Sequence, residues 1–140
     1  MFNPVYYLPF IFLIISCSEN DSPDYGGLSK EEYEIIVEKG TEPKFSGKYN
    51  DHNELGIYSC KRCKEALFLS EHKFDSKTGW PSFDDCIEGK VKVKNPAGVY
   101  TEITCSKCGG HLGHLKKGEK FTAKDKRYCV NSLSLTFEAK

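Results

Sequence analysis

At 140 residues the chain has room for one domain with a real core. Its 20 basic and 20 acidic residues are interspersed and cancel, so composition offers nothing to a nucleic acid or other polyanion. Aromatic residues make up 13%, which favours a β-rich domain with a groove.

The N-terminus differs from the rest. Val5 to Ser16 is apolar but too short to span a bilayer, which takes about 20 residues. It fits the apolar region of a secretory signal. Ile14-Ile15-Ser16-Cys17 resembles the lipobox of bacterial lipoproteins, in which the cysteine is lipidated and becomes the mature N-terminus. Met1-Phe2-Asn3-Pro4 departs from that pattern in lacking Lys or Arg, and an uncleaved anchor is the competing reading. The expectation is a signal peptide over 1–16, a lipidated flexible tether over 17–28 and a folded domain over 29–140. Such a protein would be held at the membrane surface of the bacterial envelope by acyl chains.

Ser29-Lys30-Glu31-Glu32 is a capping box, and Tyr33, Ile36 and Val37 follow at helical spacing. This predicts a short helix to about Lys39, ended by Gly40. Thr41 to Asn50, with Pro43 and Gly47, reads as irregular chain wrapping the domain. From Gly56 the pattern is β. Ile57-Tyr58-Ser59 leads into Cys60, and Ala66-Leu67-Phe68-Leu69 is a short apolar strand. Val91 to Lys94, a turn at Asn95-Pro96-Ala97-Gly98, and Val99 to Thr104 read as a hairpin with its lysines outward. The last predicted strand runs from Tyr128 to Phe137, where Leu133, Leu135 and Phe137 alternate with Ser134 and Thr136.

That strand carries the chemistry. Residues two apart point the same way, so Arg127, Cys129 and Asn131 share a face unless a bulge intervenes. A guanidinium favours the thiolate, which is the nucleophile. A buried cysteine beside a surface arginine fits the same letters.

Cys60-Lys61-Arg62-Cys63 and Cys105-Ser106-Lys107-Cys108 each end a predicted strand in a knuckle-like turn. Four thiolates so presented suit a tetrahedral structural zinc. Disulfides in an oxidising compartment and a redox pair are the alternatives, though no βαβ pattern accompanies the pairs. Cys86 lies among acids in Asp84-Asp85-Cys86-Ile87-Glu88, which should raise its pKa. Trp80, the only tryptophan, sits in a turn-rich stretch with Phe83 nearby, as a core residue or as a wall for a small apolar group. His111 and His114 follow the second knuckle in Gly109-Gly110-His111-Leu112-Gly113-His114, which reads as a tight loop. Metal ligand, proton donor and plain loop residue are equally open for both.

Taken together, Gly40-Thr41-Glu42, Phe45-Ser46-Gly47-Lys48-Tyr49, the two Cys-x-x-Cys pairs, Phe74-Asp75-Ser76, Gly79-Trp80-Pro81-Ser82-Phe83, His111-Leu112-Gly113-His114 and Arg127-Tyr128-Cys129-Val130-Asn131-Ser132 resemble the B-type peptide methionine sulfoxide reductases, in order, over about 29–138. The resemblance implies a mainly β fold of two antiparallel sheets, sandwich- or barrel-like, with structural zinc on Cys60, Cys63, Cys105 and Cys108. It implies reduction of the R epimer of methionine sulfoxide, free or in protein, with a thioredoxin-like or other thiol as reductant. Cys129 matches the nucleophile and Arg127 the arginine beside it. Trp80 matches the residue against the substrate methyl, with Phe83 next to it as a substrate-binding candidate. His111, His114 and Asn131 match the polar groups around the sulfoxide.

Lys44 departs from the family's apolar residue or proline. Thr78 stands where many members carry a resolving cysteine, which leaves Cys86 as the candidate resolving thiol. Two readings from other classes compete: a zinc-knuckle binding module without catalysis, and an envelope thiol-disulfide exchanger.

Overall fold

A computed structural model describes residues 24–140; the leader expected over 1–16 and the lipidation site expected at Cys17 lie outside them. No helix among the described residues is long and apolar enough to cross a membrane. Helix α1 spans Lys30–Ile36. Ser29 caps it through its hydroxyl, which accepts the Glu32 N–H, while the Glu32 carboxylate accepts the Ser29 N–H at 3.0 Å. That box satisfies donors that a helix start otherwise leaves open. The helix stops at Ile36 rather than near Lys39, and Lys39, not Gly40, takes the left-handed turn at φ 61°.

The strands form two antiparallel sheets. In the first, β1 (Gly56–Cys60) lies between β2 (Ala66–Leu69) and the C-terminal β9 (Leu135–Ala139). The second runs in the order β3 (Lys73–Phe74), β4 (Ser82–Phe83), β8 (Lys126–Val130), β7 (His111–Lys117), β6 (Tyr100–Cys105) and β5 (Val91–Val93). The β5–β6 hairpin is the one the sequence predicts, with Lys92 and Lys94 exposed.

Aromatic rings join the sheets. Phe83 of β4 stacks on Phe68 of β2 at 4.4 Å, and Tyr58 of β1 meets Phe83 edge-on at 5.1 Å. Phe68, Phe83 and Tyr58 are fully buried with Leu67, Ile103 and Val130. Each such side chain removed from water stabilises the fold by about 1.5–3 kcal/mol, and aromatic pairs add about 0.5–1.5 kcal/mol.

Two larger features also differ from the sequence reading. The expected loop around His111-Leu112-Gly113-His114 is instead β7, an inner strand of the larger sheet. The single strand expected from Tyr128 to Phe137 is two strands in different sheets, separated by a 3-10 turn over Ser132–Ser134. The chain turns there because the Glu42 carboxylate takes the N–H groups of Ser132 at 2.6 Å and Leu133 at 3.2 Å. Asn131 and Leu133 therefore do not continue the face of Arg127 and Cys129 as strand residues.

Candidate active site

On β8, Tyr128 and Val130 face the core, so Arg127 and Cys129 share the opposite face. Cys129 lies between two strands: His114 of β7 is directly across from it on one side and Ser82 of β4 on the other. Gly113 allows that approach, because a Cβ there would overlap the Cys129 carbonyl oxygen. A cavity of about 90 Å³ opens at this point, lined by Trp80, Tyr100, His114, Lys116, Cys129 and Asn131. One water needs about 10–15 Å³ of such volume, so the recess takes several waters or a small group such as the sulfur end of a methionine side chain.

Two of these lining groups are fixed by one residue that the sequence reading matched to a family motif without giving it a role. The Glu42 carbonyl accepts the Trp80 indole N–H at 3.0 Å, and the Glu42 N–H donates to Asn131 Oδ1 at 3.0 Å. Asn131 Nδ2 then donates to the Leu112 carbonyl at 3.1 Å, tying the turn to β7. The Glu42 carboxylate is 3% exposed, and burial raises its pKa against the pull of the Ser132 and Leu133 N–H groups. Gly47 leaves room for this knot; a Cβ there would clash with both Ser132 Oγ and Glu42 Oε1. Nothing local marks Glu42, since its partners are some 90 residues away in sequence.

Arg127 is 2% exposed. Its guanidinium grips Glu119 with two bonds, 2.8 and 3.0 Å, and its third nitrogen reaches Thr78 Oγ1 at 3.3 Å and Ser82 Oγ at 3.4 Å. Burial pushes the Cys129 thiol up; Arg127 and Lys116 pull it back, and Glu119 opposes them. The sequence left open whether the guanidinium or burial would dominate. Burial dominates because Cys129 is drawn out of water and Arg127 shares its charge with Glu119.

His111 and His114 sit differently. His114 lines the cavity with its ring stacked on Tyr100 at 4.7 Å, and burial lowers its pKa, with His111 adding to the effect. His111 lies behind it, 2% exposed, ring centres 5.6 Å apart and nearly perpendicular. Its Nδ1 bonds Glu102 Oε1 at 2.9 Å, and its buried Nε2 has no partner. Glu102 also meets Lys39 and Lys94 at 3.4 and 3.6 Å. Burial opposes its charge, but His111 and Lys39 hold its carboxyl below the ordinary range.

Two expected site residues fall elsewhere. Phe83 is fully buried in the inter-sheet core against Phe68 and does not line the cavity. Cys86 packs against the Tyr128 side chain. Tyr128 points away from Cys129, so the sheet stands between the two thiols, a poor start for a disulfide that needs Cα atoms within about 7 Å. Burial raises the Cys86 pKa, with Asp85 contributing as the sequence suggests. Thr78, by contrast, stands beside Arg127 on the cavity side.

The four knuckle cysteines come together. Their sulfurs all lie within 4.8 Å of one another, with Cys60–Cys108 at 3.7 Å and Cys63–Cys105 at 3.6 Å. Zn–S bonds of about 2.3 Å in a tetrahedron set sulfurs about 3.8 Å apart, so the cluster fits that ion. The knuckles match in backbone: Cys60 accepts from the Lys64 N–H and Cys105 from the Gly109 N–H, both at 2.8 Å, with Lys64 and Gly109 both at positive φ. Because Cys60 ends β1 and Cys105 ends β6, a metal here would clamp one sheet to the other. The histidines are not among these ligands, and no cysteine among the described residues is in a disulfide.

Comparison with known proteins agrees with this geometry. The SelR domain family matches residues 28–139. The chain is 52% identical over 112 residues to peptide methionine sulfoxide reductase B9 of Arabidopsis thaliana, covering 79% of this chain and 78% of that one. It is 46% identical over 117 residues to peptide methionine sulfoxide reductase MsrB of Thioalkalivibrio sulfidiphilus, covering 80% and 84%. Among solved structures the Mis18 'Yippee-like' domain superposes with a TM-score of 0.51 at 18% identity, over 62% of this chain and 98% of that one. That last likeness concerns the fold alone.

Proposed function

The chain belongs to the SelR domain family and is a peptide methionine sulfoxide reductase of B type, and from that premise we propose that Cys129 reduces the R epimer of methionine sulfoxide through a sulfenic acid. The observation that carries this is a single cavity in which Cys129 faces His114 across two paired strands, with Trp80 on the wall. Oxygen passes from the substrate sulfur to the Cys129 sulfur: thiol plus sulfoxide gives sulfenic acid plus thioether. The sulfoxide oxygen leaves only when protonated, so a proton donor must stand opposite the attacking sulfur. His114 lines the cavity for that role, and His111, held through Nδ1 by Glu102, supports it from behind. Trp80 would receive the substrate methyl. Methyl, oxygen and attacking sulfur then have three separate walls, which is what selection between sulfur epimers requires.

Two external thiols return the sulfenic acid to thiol, giving a disulfide and water. The position of Cys86 behind Tyr128 favours direct regeneration by a thioredoxin-like or small thiol over an internal Cys86–Cys129 disulfide. Cys60, Cys63, Cys105 and Cys108 would hold zinc, whose work here is structural: it fixes the two knuckles and with them the sheets. A lipid on Cys17 would place the enzyme at the envelope surface; mass spectrometry of the mature N-terminus after fatty-acid labelling tests this, and an unmodified Cys17 overturns it. For the activity itself, resolved R and S sulfoxides are supplied with dithiothreitol. Turnover of R alone, absent in Cys129→Ser, is expected; equal turnover of both epimers, or activity in Cys129→Ser, defeats the proposal.

A further inference from the structure

Two cations stand near the Cys129 sulfur, and they are not in the same state. Arg127 is enclosed, and its charge is taken by a two-bond grip on Glu119. Lys116 sits opposite Arg127 across the β7–β8 pair and lines the cavity itself. Among the described residues no carboxylate lies within ion-pair distance of its ammonium; Glu119, whose charge Lys116 helps to favour, has both oxygens bonded by Arg127. The Lys116 ammonium rests over the Tyr100 ring at 5.3 Å, and Tyr100 is 59% exposed. An ammonium held by one ring face at a cavity mouth keeps most of its capacity for an anion. Its charge reaches the reacting groups, favouring the Cys129 thiolate and disfavouring the His114 cation.

The cavity is a small recess, so the peptide bearing the oxidised methionine lies over its mouth, which Tyr100, 59% exposed, and Lys116 line on one side. A residue adjacent to the oxidised methionine then passes close to Lys116. We propose that Lys116 is a specificity residue that selects oxidised methionine flanked by an aspartate or glutamate, the peptide carboxylate pairing with its ammonium. One compact ammonium suits one carboxylate; planar two-bond recognition would call for an arginine instead. The inference rests on the reductase reading and adds the substrate class to it.

The test uses end-blocked peptides that differ only in Asp, Asn or Lys beside methionine sulfoxide, with kcat/KM measured under dithiothreitol. The wild-type enzyme should prefer Asp over Asn by about three- to fivefold, as an exposed ion pair allows, and the ratio should fall toward one at high salt. The ratio should reach one in Lys116→Gln and invert in Lys116→Glu. Taking the ratio within each enzyme cancels whatever the substitution does to Cys129. Equal wild-type rates on all three peptides, or a preference that survives in Lys116→Gln, overturn the inference while leaving the reductase reading intact. Failure to reduce even the Asn peptide removes the reductase reading, and the inference with it. A preference for N-acetylmethionine sulfoxide over its amide, with no difference among the peptides, would assign Lys116 to an α-carboxylate and overturn the peptide assignment.

Discussion

Replacing Glu42 with Ala should damage both the fold and the cavity, by an amount the hydrogen bonds set. The carboxylate satisfies two N–H groups, Ser132 in the buried interior and Leu133 partly buried. Each donor left without a partner costs about 1–3 kcal/mol. Relief from holding a charge in a site where burial raises the pKa offsets part of this, leaving a net loss of roughly 2–4 kcal/mol. For a domain of this size that lowers Tm by about 8–16 °C. The same change loosens the turn that carries Asn131 and the segment whose carbonyl holds Trp80, so kcat/KM should fall with stability. Trp80 is the sole tryptophan, and its emission should shift toward that of a wetter indole. The pH dependence has a definite sign. Burial raises the Glu42 pKa, so the protonated form is favoured by folding. That contribution is complete below the unfolded value of about 4.3 and is lost as pH rises through the raised value. Glu42→Gln cannot titrate, so its stability deficit relative to wild type should shrink as pH rises above about 4. A Glu42→Ala protein that melts within a degree or two of wild type, with unchanged Trp80 emission, would refute the reasoning.

Other changes follow from the same geometry. Cys105→Ser should lose zinc by metal analysis and lose most of its cooperative melt, since a structural site contributes folding free energy outright; melting like wild type would mean the four cysteines hold no metal. Arg127→Ala should raise the Cys129 pKa further and slow its alkylation at neutral pH, because the guanidinium favours the thiolate; an unchanged pH–alkylation profile would mean the two do not interact. Gly113→Ala forces a Cβ into the Cys129 carbonyl and should cost about 1–3 kcal/mol, with kcat/KM falling as the strand carrying the nucleophile is pushed aside; a fully active, fully stable variant would contradict the close approach. Cys86→Ser should keep its thiol-supported turnover, and a loss of turnover would restore the internal disulfide.

What could be read from sequence alone was whatever local pattern decides. The α1 capping box, the β5–β6 hairpin and the apolar strand Ala66–Leu69 each depend on neighbours a few residues apart, and each formed as expected. The four-cysteine cluster was also legible, because knuckle spacing fixes how thiols are presented. The failures share a cause in long-range contacts. The alternation of Leu133, Leu135 and Phe137 extrapolates backward through Asn131, yet a carboxylate some 90 residues away pins the backbone and starts a new sheet. The glycines before and within His111–His114 suggest a loop, but Gly113 is there so that two strands can lie close. Phe83 sits three residues past Trp80 in the opposite environment, and only the stacking on Phe68 tells them apart. The thiol's acidity stayed open because neither burial nor the grip of Glu119 on Arg127 is visible in the motif Arg127-Tyr128-Cys129.

The central claim is that the Cys129 sulfur takes the oxygen. One equivalent of methionine R-sulfoxide is mixed with the reduced protein without added thiol, and the peptide bearing Cys129 is analysed by mass spectrometry with a sulfenic-acid trap. The account predicts one equivalent of methionine and the trap adduct on Cys129, with Cys86 and the four knuckle thiols unchanged. Methionine formed with Cys129 still a thiol and the oxidation found on a knuckle cysteine would contradict it.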